Sequence, residues 1–169
     1  MDNVLDKKTH DLLWANRPGA NGKAKELMEA LDVENENITK KYNKRRNTHW
    51  VTRELVIDAF KELRSKGFMA RANYLCCQSC AGYALAEDAK KRIANGKTVN
   101  GVYFWHRQDE EDYEEFGHLF IAYGDVEVEG KTYGLSTEQV GLALVTALVK
   151  RGVHVQWNGN TNRRILVIA

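Results

Sequence analysis

After Thr52, apolar residues fall at Leu55, Val56, Ala59, Phe60 and Leu63, the spacing of one helix face. Thr52 is a suitable N-cap, and Gly67 stands where a glycine would end such a helix. "FMARANYLC" (68–76) reads as a strand, and the stretch from about Ser79 to Ala94 as an amphipathic helix stopping near "NGK". "VYFWHR" (102–107) and "HLFIAYG" (118–124) read as strands joined by an acidic loop, "QDEEDYEEFG" (108–117). Ser136 with Gln139 three residues on suggests a capping box, followed by a helix with Val140, Leu144 and Leu148 on one face and Gly152 after it. "VHVQW" and "RRILVI" close the chain as a hairpin around "NGNTN".

The first 49 residues have a different pattern. Leu5, Leu12, Leu13 and Trp14 suggest one short helix, "NRPGANG" (16–22) breaks it, and Ala24, Leu27, Met28 and Leu31 suggest a second. Polar sequence follows to residue 49. The expected division is therefore a helical arm and basic linker over 1–49 and a core domain over 50–169. An ungapped echo of "TRELVIDAFKELRSKGFMARAN" (52–73) in "TEQVGLALVTALVKRGVHVQWN" (137–158) supports both boundaries. Two helix–Gly–strand units that obey the same capping rules account for it.

From the first strand onward the order is β-α-β-β-α-β, with a helix before it and an extra strand after it. That order predicts an α+β fold, a ferredoxin-like split βαβ sheet with its helices on one face. In that topology a third strand lies between two parallel ones. One edge of the sheet would then gather Cys76 to Cys80, His106, Gln108, Asp109, His118 and His154.

Composition narrows the reading only slightly. A chain of 169 residues, 43% hydrophobic and 28% charged, can bury a core without staples. A net charge of +2 points to neither nucleic acid nor membrane without a local patch. Neither a signal peptide nor a membrane span is visible, and three cysteines are an odd number for a disulfide framework, so a cytoplasmic protein is expected.

All three cysteines lie in "CCQSC" (76–80). Cys77-x-x-Cys80 has the spacing of half a zinc site, with His106, His118 or His154 as nitrogen donors, but a second knuckle is missing. Strand, C-x-x-C, helix is also a thioredoxin-like arrangement; the later element order and the lone, distant Pro18 argue against it. A nucleophilic cysteine would need a base such as His106 or His154. Against all of these stands simple packing: cysteines serve as small buried hydrophobes at a crowded strand-to-helix junction.

Elsewhere, Lys40, Lys41, Lys44, Arg45, Arg46 and Arg53 cluster with Tyr42, His49 and Trp50, a pattern that suits nucleic acid or a solvated linker. The six carboxylates of 108–117 suit a cation, a basic partner or plain solvation. "GANGK" (19–23) lacks the spacing of a phosphate-binding loop.

The motifs "ANYLCCQSCAG", "FWHRQD", "IAYG" and "VQWNG" followed by "RRILV" resemble those of an uncharacterised bacterial family, a domain of unknown function. The resemblance covers roughly residues 52–169. Its members have a glycine directly after the third cysteine, where this chain has Ala81 before Gly82. It implies a domain boundary and no activity.

The sequence therefore favours a small cytosolic, non-catalytic binding or regulatory protein with a protein partner. No cofactor is expected beyond a candidate zinc ion, and no membrane. One alternative is a thiol- or zinc-dependent enzyme centred on Cys76, Cys77, Cys80, His106 and Asp109. The other is a nucleic-acid binder using the basic cluster.

Overall fold

The computed structural model describes the backbone of residues 48–169 and the side chains from Thr52 onward. The expected arm helices, and Lys40, Lys41, Lys44, Arg45 and Arg46, lie outside the described residues.

Helix α1 (Thr48–Ser65) begins before the expected cap. Thr52 sits inside the helix and its hydroxyl engages the Tyr113 phenol instead. The helix ends at Gly67, φ 84°, where the N–H of Phe68 reaches back to the carbonyl of Leu63. Strand β1 follows but is only Met69–Arg71. Helix α2 (Gln78–Ala94) and strand β2 (Val102–Phe104) come next, then helix α3 (Arg107–Phe116) and strand β3 (His118–Gly124).

A two-residue turn at Glu129-Gly130, both at positive φ, joins β4 (Val126–Val128) to β5 (Lys131–Tyr133). This small hairpin was not anticipated, although alternation around Glu-Gly is its signal. Helix α4 (Thr137–Val149) has the expected Ser136/Gln139 capping box. Strands β6 (His154–Gln156) and β7 (Ile165–Ile168) pair antiparallel.

The fold is α+β. Its main sheet has the order β1-β2-β3-β7-β6, and β4-β5 forms a separate two-stranded sheet. The strand order differs from a split βαβ sheet: β1 and β2 pair directly, in parallel, with nothing between them. The α2 crossover suffices to set them side by side. The long apolar β3 instead takes the centre, antiparallel to β2 on one side and to β7 on the other.

Helices also cover both faces rather than one. On the first face, Val56, Phe60 and Leu63 of α1 and Leu144 and Leu148 of α4 pack on Tyr103, Leu119, Ile121 and Val167. Full burial of a residue such as Leu144 is worth about 2 kcal/mol. On the second face, α2 sits on Met69, Phe104 and Ala122 through Ala81, Leu85 and Ala89, with Val126 of the hairpin alongside. Alanine at two of those α2 positions permits a close approach.

The sequence echo has a structural counterpart. Gly152, φ 78°, ends α4 as Gly67 ends α1, and Val153 N–H reaches Leu148 C=O as Phe68 N–H reaches Leu63 C=O, both at 3.1 Å. The two units lie on the same face and deliver β1 and β6, the outer strands of the sheet.

Segment 108–117 is helix α3, not a loop. It has one buried apolar anchor, Tyr113, and its remaining stabilisation comes from its start and from distant partners. Gly117, in the left-handed region at φ 71°, closes it.

Candidate functional site

Strands β1 and β2 run parallel and end at the same edge of the sheet. Each runs into a helix there, and β3 and β6 begin there.

The β1–α2 junction carries the thiols. The strand stops at Arg71 because Asn73 (φ 45°) and Leu75 (φ 61°) enter the left-handed region, rare for a leucine. Main-chain bonds hold this loop to its neighbour: Tyr74 N–H donates to Trp105 C=O (2.8 Å), and Arg107 N–H donates to Leu75 C=O (3.0 Å). The turn lifts the following residues off the sheet. Cys76 and Cys80 are exposed and Cys77 is half-buried, with no disulfide. The expectation of buried, packing cysteines is thereby corrected; α2 buries Ala81, Leu85 and Ala89 instead.

Cys77 is the N-cap of α2; its thiol faces the Cys80 N–H but makes no capping hydrogen bond of ordinary geometry. The Sγ atoms of Cys76, Cys77 and Cys80 all lie within 4.8 Å of one another, and Cys76 Sγ lies 3.8 Å from Cys77 Sγ. The backbone N–H of Cys80, and then the thiols of Cys80 and Cys76, hold the Cys77 thiol below its usual range. Hydrogen bonds with the Cys76 and Cys77 sulfurs, and then charge repulsion from them, push Cys80 up to about 11. The Cys77 thiol is thus shifted toward ionisation and the Cys80 thiol away from it.

The β2–α3 junction is its opposite. His106 caps α3: its Nδ1 accepts from Asp109 N–H (3.3 Å), and the Asp109 carboxylate accepts from His106 N–H (3.1 Å). The Nε2 atom also lies 3.1 Å from Asp109 Oδ2, so Asp109 occupies both ring nitrogens. The other oxygen of Asp109 accepts from Arg164 at 2.7 Å. Next to it, the Glu110 carboxylate accepts from the Trp105 indole N–H and from Arg53 Nε. These acids are 2% and 7% exposed, and each is paired.

A groove of about 950 Å³ opens on the second face beyond α2. Phe120, Leu166, His154 and Gln156 form its floor, Gln78 of α2 one wall, and Asn158, Asn162, Arg163 and Arg164 its rim. No lining residue is acidic. Arg164 lies 5.0 Å over the Phe120 ring while pairing with Asp109. Trp157 at the end of the groove is 8% exposed, and its indole N–H donates to Tyr123 O–H (2.9 Å).

The structure thus assembles the three sulfurs and separates them from the other candidates. His106 and Asp109 are committed to each other and to the α3 start. His118 and His154 flank Ile168 in one register row, roughly 10 Å apart at Cα. Arg53, the one described member of the basic cluster, is paired with Glu110. The Cys77-x-x-Cys80 zinc spacing leaves Cys76 out, although its sulfur joins the other two, and no motif in the sequence marks the groove. One signal for the groove was available: residues 139–169 contain no Asp or Glu at all.

The family described as "Domain of unknown function (DUF6891)" matches residues 7–169, and the chain belongs to it. The match takes in residues 7–51, which the motifs had left uncovered. No curated protein and no solved structure matches the chain. Among the described residues, no helix is long and apolar enough to cross a membrane.

Proposed function

We propose that the protein is a non-catalytic cytoplasmic binding protein whose groove on the second face receives an acidic segment of a protein partner. The observation that carries this reading is the charge of the groove. Arg163, Arg164 and His154 line it, with no carboxylate among the lining residues, in a chain that has 23 acids. A carboxylate-bearing chain meets complementary charge at Arg163 and at Arg164. Gln78, Gln156, Asn158 and Asn162 add neutral donors and acceptors, and Phe120 and Leu166 offer apolar contact between them.

Single-stranded nucleic acid is the less suited occupant, because it binds by stacking bases on open aromatic faces. Arg164 lies over Phe120, and Trp157 is nearly buried. Three unbridged thiols accord with a reducing compartment.

Fluorescence anisotropy with labelled oligoglutamate and labelled oligothymidylate tests the reading. Oligoglutamate is expected to bind, more weakly as salt rises, with about a tenfold loss in Arg163→Glu. Absence of oligoglutamate binding at low salt, or tighter binding of oligothymidylate, overturns it.

A further inference from the structure

The thiols lie outside the groove and call for an account of their own. They are exposed or half-buried, unbridged, and gathered on a turn whose backbone occupies an unfavourable region at both Asn73 and Leu75. Leu75 is 42% exposed, so side-chain packing does not explain its conformation. The two main-chain bonds to Trp105 and Arg107 hold the turn in place. Backbone strain that the surroundings maintain is found at sites where geometry matters. The turn delivers Cys76 beside Cys77 and Cys80, which share the first turn of α2, so the three sulfurs meet at that helix start.

We infer that Cys76, Cys77 and Cys80 form a three-thiolate site for a soft, thiophilic monovalent cation of the copper(I) kind. Sulfur ligands select such ions over hard cations. Among the described residues the cluster holds sulfur alone, with no imidazole or carboxylate in it. Three sulfurs complete a trigonal shell for copper(I), whereas zinc usually takes four ligands and would keep a water in this site. Metal–sulfur bonds of about 2.3 Å place sulfurs roughly 4 Å apart in such a shell. The present spacing, all within 4.8 Å, reaches that by small side-chain rotations at the exposed Cys76 and Cys80. Each thiol loses its proton to solvent as its metal–sulfur bond forms, and no electron is transferred. The site is independent of the proposed groove function and of its test.

Untagged protein is titrated anaerobically, under reducing conditions, with copper(I) and separately with zinc(II), against a competing chelator. One copper(I) per chain is expected, bound more tightly than zinc(II), with protons released on binding. Loss of a ligand should exceed the 10–100-fold typical of a lost outer-shell partner, so each of Cys76→Ser, Cys77→Ser and Cys80→Ser should weaken binding by about 100-fold or more. His118→Ala and His154→Ala should bind as the unaltered protein does. Circular dichroism identifies any variant that fails to fold. Tighter binding of zinc(II), dependence on either histidine, or folded Cys→Ser variants that bind copper(I) normally would overturn the inference.

Discussion

Two strand-to-helix junctions leave neighbouring parallel strands at one edge of the sheet, and they spend their polar groups in opposite ways. After β2, His106 and Asp109 close a reciprocal capping box, and Arg164, Trp105 and Arg53 saturate the acids around it. After β1, the helix start has no side-chain cap hydrogen bond, the turn before it enters the left-handed region, and the three thiols are exposed or half-buried. Chemistry-bearing residues were gathered at both junctions, yet only one leaves them available. A histidine and two carboxylates in a conspicuous place are here taken up in holding a helix start; the thiols are the groups left accessible.

The largest test of this contrast is Asp109→Ala. Removing a nearly buried carboxylate strips partners from His106 and Arg164 at once, and should cost about 3 kcal/mol in a urea unfolding curve. A loss under ~0.5 kcal/mol would place the β2–α3 junction among ordinary surface positions.

Cys77→Ser should act in the other direction. Serine is a favoured N-cap and cysteine is not, so α2 and the protein should gain about 0.5–1 kcal/mol while the metal site is lost. A destabilised variant would mean that Cys77 holds the junction together.

Cys80→Ala should leave stability within ~0.5 kcal/mol, because the side chain is exposed. Finally, in metal-free protein near neutral pH, iodoacetamide should label Cys77 before Cys80. The thiolate is the nucleophile; Cys77 is held low, so its thiolate fraction rises at lower pH, whereas Cys80, pushed up to about 11, stays protonated. Peptide mapping over a pH series reads the order, and equal rates would remove the asymmetry within the thiol junction.

Legibility in the sequence followed the range of the interactions. Strand β3 and the α4 capping box were readable because their signals are local: a continuous apolar run bounded by His118 and Gly124, and Ser136 with Gln139. Gly67 and Gly152 were readable for the same reason. Helix α3 was not, because Asp109 and Glu110 owe their burial to Arg164 and Arg53, more than fifty residues away in either direction. The exposure of the thiols was hidden in two left-handed residues, neither of them glycine. Strand order depends on which partner β3 prefers on each side, a competition that no single segment records. The groove is assembled from three strands, a helix start and a loop, so only its missing acids left a trace in the chain.

Arg164 belongs to both the groove and the β2–α3 junction, since its guanidinium lies over Phe120 and holds Asp109. A carboxylate that engages Arg164 competes with Asp109 for its guanidinium, at the first turn of α3 where the neighbouring Glu110 accepts from the Trp105 indole. A buried fluorophore thus lies two acids away from the groove. Because Trp157 lines the groove itself, the test uses Trp157→Phe protein: the emission change that remains on occupancy should shrink in Arg164→Lys, which cannot present the same planar fork.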